Sequence, residues 1–239
     1  MNPSDEIQVQ NLDHLGLVAG IIDDIGLVEQ INQLVGQDSC ERVSPGHVVK
    51  AMILNGLGFV SAPLYLFSKF FEGKATEHLI GEGIKPEHLN DDRLGRVLDK
   101  LYLTGLSQVF TIVALAAAKK FGVTTDSTHL DSTSFHLHGQ YKNTLPKVSF
   151  LTGQFNPDDP KRENLEETVV PHPISITQGY SRDHRPDLKQ FILDLICSGD
   201  GDVPLFLRVA DGNEADKAVF AQILCEFRPS IVSRHSDDC

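Results

Sequence analysis

Asp131 is the residue whose setting in this sequence most favours metal chemistry. It is the one carboxylate in the run THLDSTSFHLHG, which alternates like a half-buried strand from Thr128 to Leu137. Mg²⁺ prefers hard oxygen ligands and takes one or two protein carboxylates together with substrate phosphate oxygens. A strand would hold such a ligand rigidly. The alternative interpretation is that Asp131 faces water on an edge strand. Asp126 is a second candidate for the metal carboxylate, but its position is better explained as the cap of a turn.

Two histidines follow Asp131 at the spacing of a strand-borne metal pair, His136 and His138. A structural zinc site needs four nitrogen or sulfur ligands, and the sequence offers no third ligand of matching type nearby. A pairing of Asp131 with one of these histidines would instead make a small metal-dependent hydrolase.

Basic residues that could contact phosphate are concentrated in the run GYSRDHRPDLKQ, which contains Arg182, Arg185 and Lys189. The alternative is a solvated turn in which Arg185 forms a surface ion pair with Asp183. In the first half of the chain the candidate phosphate contacts are Lys50, Lys69 and Lys74.

The first part of the chain has the apolar spacing of helices. Two short amphipathic helices are predicted between His14 and Val35, meeting near Gly26. Ser44 followed by a proline marks the start of a third, and Asn90 is the predicted cap of another. A central helix, apolar nearly all round, is predicted from Leu106 to Phe121.

After Gly122 the pattern changes to short β-type runs. The predicted strands are Thr128–Leu137, Ile174–Tyr180, Leu188–Ile196 and Pro204–Val209. The third run also suits a helix, but the turn SGDGD behind it favours a hairpin. An amphipathic helix, NEADKAVFAQILCEF, follows. The fold class is therefore α+β, with a helical domain over residues 1–122 and a second domain over residues 123–239.

Composition limits the classes of function. The formal net charge is −12, so the chain as a whole lacks the basic footprint of a nucleic-acid binder, and any phosphate contacts must be local. The four cysteines are far apart, which argues against a disulfide framework and favours the cytoplasm. The longest apolar run is interrupted at Lys119, and the polar N-terminus has no signal-peptide pattern, so we expect no membrane partner.

The run LDSTSFHLHGQY, followed by ITQGYSRDHRPDLKQ and PLFLRVADGNEADKAVF, resembles the DDE transposases of bacterial insertion sequences. The helical first half, with LGLVAGIIDDIGLVEQI and LNDDRLGRVLDKLY, is similar to the domain that precedes the catalytic core in that family. The resemblance covers residues 12–229. It implies a ribonuclease H-like second domain, Mg²⁺ as cofactor and inverted-repeat DNA as partner. It also implies that Asp131 is the first catalytic and metal-binding acid of the Asp, Asp, Glu triad.

The sequence departs from the family after this helix. In the family the second Asp lies on the next strand, which pairs beside the first, and the Glu lies on a later helix; here the chain reads FRPSIVSRHSDDC. We therefore expect an incomplete ribonuclease H-like domain that contains only the first strands and the first helix.

The leading hypothesis is a truncated insertion-sequence transposase, catalytically inactive alone because two of three acids are missing, with no Mg²⁺ bound stably. One alternative is that the helical half binds DNA ends or self-associates, and so modulates full-length transposase. The other is the small metal-dependent hydrolase.

Overall fold

The computed structural model describes residues 9–38, 41–59, 61–141, 172–180 and 184–214, together with the helical residues 219–221, 223–225 and 227. The chain divides into two compact units, Met1–Thr104 and Gly105–Cys239. The expected α+β class is confirmed, because helices dominate the first part and a three-stranded antiparallel sheet follows.

The regular elements of the first unit, within its described residues, are helices. Its α-helices are α1 Leu15–Ile25, α2 Leu27–Val35, α3 Pro45–Gly56, α4 Phe67–Phe71, α5 Thr76–Leu79 and α6 Asp91–Thr104, with 3₁₀ turns at Leu64–Leu66 and Pro86–His88. The predicted helix boundaries are confirmed where the sequence marks them. Gly26 ends α1 at φ 71°, Ser44 accepts the N–H of His47, and Asn90 accepts the N–H of Arg93 at 2.9 Å.

The core of the first unit consists of large apolar side chains with almost no exposure. Its members include Leu15, Leu54, Phe67, Phe71, Leu79, Leu89 and Leu94. Gly46 lets α3 approach α2 closely, since a Cβ at this position would lie 2.2 Å from the carbonyl oxygen of Val28. The buried face of α3 also carries Lys50. A cation within an apolar helix face requires a partner, and that partner is described below.

The second unit contains α7 Leu106–Phe121 and a sheet of order β1-β2-β3, formed by Thr128–Leu137, Lys189–Ser198 and Pro204–Ala210. Strand β1 has the predicted bounds, and the ambiguous third run is confirmed as a hairpin strand. The run Ile174–Tyr180 differs from its prediction, because only Thr177 pairs with the sheet, as an isolated bridge to Gln190.

One face of the sheet forms the core of the second unit. Its cluster comprises Leu115, Ala118, Ile196, Leu205, Phe206, Ile223 and Phe227. The helix α7 supplies the first two of these residues and therefore lies in the second unit. The sequence analysis placed the domain boundary at residue 122 and so counted α7 with the helical domain. The surface of α7 is apolar nearly all round, and such a surface does not indicate which partner the helix packs against.

Among the described residues, no single helix is long and apolar enough to cross a membrane. Only α6 and α7 taken together, across the break at Gly105, reach the required length and composition.

Candidate functional site

Asp131 lies near the middle of β1, with Leu195 of β2 opposite it. Side chains alternate along β1, so that Asp131 and Thr133 are exposed while Ser132 between them is buried. One carboxylate oxygen of Asp131 accepts the N–H of Ser132 at 2.9 Å. The carboxylate is thus held on a strand and open to solvent, as a ligand that must reach a phosphate needs to be.

The strand that carries Asp131 is at the edge of the described sheet. It pairs with β2 on one side, and within the described part of the chain no strand pairs with its other side.

The histidines do not join Asp131 in one site. Asp131 and His136 are five residues apart on β1, and this odd separation puts their side chains on opposite faces of the sheet. His138 follows the end of the strand. No group of three or more His, Cys, Asp or Glu side chains that could hold a metal ion occurs among the described residues. This geometry does not favour the metal-dependent hydrolase.

A buried polar row that the sequence reasoning missed crosses the sheet on the face opposite Asp131. The hydroxyl of Ser132 donates to Asp194 at 2.5 Å, and Arg208 donates to the other oxygen of Asp194 at 3.0 Å. Arg208 also binds Glu214 through two hydrogen bonds, of 2.6 and 2.9 Å. The pKa of Arg208 is raised, chiefly by its hydrogen bond to Glu214.

This row connects all three strands, because Ser132 pairs with Asp194 and Asp194 pairs with Arg208 in the sheet register. Asp194 is buried and already neutralised by a guanidinium, so it is a structural acid. It cannot share a metal ion with Asp131, because the two carboxylates face opposite sides of the sheet. The sequence signal was present: Asp194 lies between Ile192 and Ile196 at the spacing of one strand face.

Arg185 and Lys189, the described arginine and lysine of the basic run in the second unit, both have partners within the protein. Arg185 binds Asp187 through two hydrogen bonds, of 2.9 and 2.8 Å, and lowers the pKa of that carboxyl to about 2. The sequence interpretation named Asp183 as the partner. Lys189 donates to the carbonyl of Tyr141. Arg182 lies outside the described residues.

Lys189 is also distant from Asp131. It pairs with Leu137, six residues further along β1, which corresponds to roughly 20 Å in an extended strand. A phosphate held by Lys189 would therefore not be the phosphate next to Asp131.

Lys50 is a structural cation in this conformation. Its side chain is 3% exposed, and its ammonium lies 2.6 Å from Asp23 of α1, whose side chain is 57% exposed. A DNA contact from Lys50 would require this ion pair to open and the ammonium to leave the core. The placement argues against the predicted DNA-contact role of Lys50. The sequence alone did not show that Lys50 lies on the buried face of α3.

The other two predicted DNA-contact lysines, Lys69 and Lys74, line one cleft of about 470 Å³ in the first unit. Lys69 is exposed, whereas Lys74 lies 3.8 Å from Asp13 and 4.9 Å from the centre of the Phe70 ring. The ring of Phe59, which is 86% exposed, borders the same cleft. Basic side chains beside aromatic rings occur on surfaces that bind single-stranded nucleic acid, but this cleft also contains the carboxylates Asp13 and Glu72.

Comparison with known families gives one match. Residues 7–115 match a family described as a domain of unknown function, DUF4277. This domain occurs in transposase-like proteins. The match covers most of the first unit and the beginning of α7, and it ends before β1. No curated protein and no solved structure matches the chain at a significant level.

Proposed function

We propose that this chain is derived from a DDE transposase of a bacterial insertion sequence and that Asp131 corresponds to the first acid of its triad. The observation that carries the proposal is the placement of Asp131, exposed on the outer strand of the antiparallel sheet that the described residues form. The resemblance of LDSTSFHLHGQY to the family's first core strand supports it. So does the match of residues 7–115 to a domain that occurs in transposase-like proteins.

We further propose that the 239-residue chain does not cut or join DNA by itself. Phosphodiester chemistry in this family uses two metal ions that clamp the attacking and leaving oxygens. The described residues do not fit such a pair, because Asp194 faces away from Asp131 and no group of three or more acids, histidines or cysteines among them could hold a metal ion. We assign no catalytic step to Mg²⁺ in this chain.

The activity that remains is binding by the helical unit, and we propose that this unit binds the inverted-repeat DNA of the element. Lys69 and Lys74 with Phe59 and Phe70 form the cleft that supports this role. The relevant partners would then be DNA, a second copy of this chain or full-length transposase, all within the cytoplasm. The net charge of −12 predicts weak binding that falls steeply with salt.

Replacing both Lys69 and Lys74 with Gln is expected to weaken binding to an inverted-repeat duplex by about three- to tenfold at low salt, because two of the cations that line the cleft are removed. Fluorescence anisotropy with a labelled duplex measures the change. The matched variant, Arg185→Gln with Lys189→Gln, removes the same charge from the second unit and should leave the affinity almost unchanged. Equal decreases in affinity for the two double variants would contradict the assignment of DNA binding to the helical unit.

A further inference from the structure

A second cleft in the helical unit has the charge and the hydrogen-bonding pattern of an anion site. It has a volume of about 340 Å³ and is bordered by the segment before α3, the turn Pro86–His88 and the first turns of α6. Three arginines line it, Arg42, Arg93 and Arg96, together with the carboxylates Glu41 and Glu87. Such a local excess of positive charge is notable in a chain whose formal net charge is −12.

One of the two carboxylates is already occupied. Glu41 lies 2.6 Å from Arg93 and 3.4 Å from Lys100, and its pKa falls to about 2, chiefly because of the hydrogen bond from Arg93. Arg93 is engaged in turn, since it also donates to the carbonyl of Val43. The exposed cations of the cleft are therefore Arg42 and Arg96.

The ring of His88 adds an independent indication of a ligand. Nδ1 of His88 lies 3.1 Å from the backbone nitrogen of Lys85, and Nε2 lies 3.0 Å from Nη1 of Arg42. Both neighbours can only donate, and an imidazole has at most one acceptor nitrogen when it carries a proton, so the ring can accept from only one of them. In the tautomer that accepts from Lys85, the ring N–H and the guanidinium of Arg42 are two donors side by side, and an oxygen that accepts from both would satisfy them.

We propose that this cleft binds a phosphate group through Arg42, Arg96 and His88. A phosphate presents several acceptor oxygens around one centre, which suits two guanidinium forks and an imidazole N–H. If the proposed function is right, on which this step rests, the bound phosphate belongs to the backbone of DNA. A free phosphate anion has the same chemistry and is distinguished by experiment.

The test uses the full 239-residue chain, a labelled inverted-repeat duplex and, separately, inorganic phosphate. Replacing Arg42 and Arg96 with Gln should weaken duplex binding about tenfold or more. The plot of log binding constant against log salt concentration should also become shallower, by about one for each phosphate that is no longer bound. The charge-matched variant Lys119→Gln with Lys120→Gln, at the end of α7, should change affinity less than about threefold. Glu87→Gln should strengthen binding, by about two- to threefold, because it removes the opposing charge.

NMR signals of the Arg42, Arg96 and His88 side chains, recorded during titration with inorganic phosphate, supply the second readout. If the duplex fails to bind but phosphate shifts these signals in the wild type, the phosphate site stands and the DNA-binding role is rejected. If the duplex binds equally well to the wild type and the Arg42, Arg96 variant, the DNA-binding role stands and the site is overturned. The site is also overturned if neither probe produces an effect.

Discussion

Replacing Asp194 with Ala is expected to lower the free energy of unfolding of the sheet unit by about 3 kcal/mol, because it removes the centre of a buried polar row. Ser132 loses its acceptor at 2.5 Å, and Arg208 loses one of its two carboxylate partners. The side chain of Asp194 is only 4% exposed, so water cannot replace it without opening the sheet. Urea unfolding, monitored by hydrogen exchange of the backbone amides of residues 189–198, measures the decrease in the free energy of unfolding.

The matched control is Asp187→Ala, which breaks an exposed pair between the same two residue types in the same unit. Its partner Arg185 and Asp187 itself have side chains 47% and 61% exposed. Exposed ion pairs contribute little to stability, so this variant should unfold like the wild type. Equal unfolding midpoints for Asp194→Ala and Asp187→Ala would show that the buried row does not stabilise the sheet.

Removing Asp23 should destabilise the helical unit more than removing its partner Lys50, although Asp23 is the more exposed of the two. Asp23→Ala leaves the Lys50 ammonium buried without a counter-ion, at a cost of roughly 2 to 4 kcal/mol. Lys50→Met removes the buried charge and keeps most of the apolar stem, so its cost is about 1 kcal/mol or less. The two variants differ in stability because only Asp23→Ala leaves an unpaired charge buried in the core.

Urea unfolding of the two single variants and of the double variant checks this order. In the double variant, Lys50→Met should recover most of the stability that Asp23→Ala removes, since no charge is then left in the core. A larger decrease in stability for Lys50→Met than for Asp23→Ala would contradict the buried-ammonium explanation.

Local signals explain why the longer helices and all three strands of the sheet were predicted with nearly correct bounds. Gly26, Ser44 and Asn90 mark helix boundaries by backbone geometry or capping, which depends on adjacent residues alone. The alternation of β1 likewise needs no knowledge of its neighbours. The run Ile174–Tyr180 has similar β-type residues, but a strand also requires a partner, and only Thr177 has one.

The roles of the charged residues depended on packing that the sequence does not specify. Lys50 and Lys69 look alike in a helical sequence, yet one is buried against α1 and the other is exposed. The contact between Arg42 and His88 brings together side chains from two separate segments, so neither segment alone could have predicted it. The role of Asp131 stays a prediction, which rests on its setting within one strand and on the resemblance of the run LDSTSFHLHGQY to a known family.

The most direct test of the proposed function is a cleavage assay with supercoiled DNA that carries the inverted repeats of an insertion sequence. The 239-residue chain is incubated with Mg²⁺ or Mn²⁺, beside its Asp131→Ala variant and an active family member as positive control. We expect no nicking or joining above the buffer level from either form of the chain, since one strand-held carboxylate cannot hold two metal ions. Metal-dependent cleavage by the wild type that Asp131→Ala abolishes would contradict the account, because the site would then be complete.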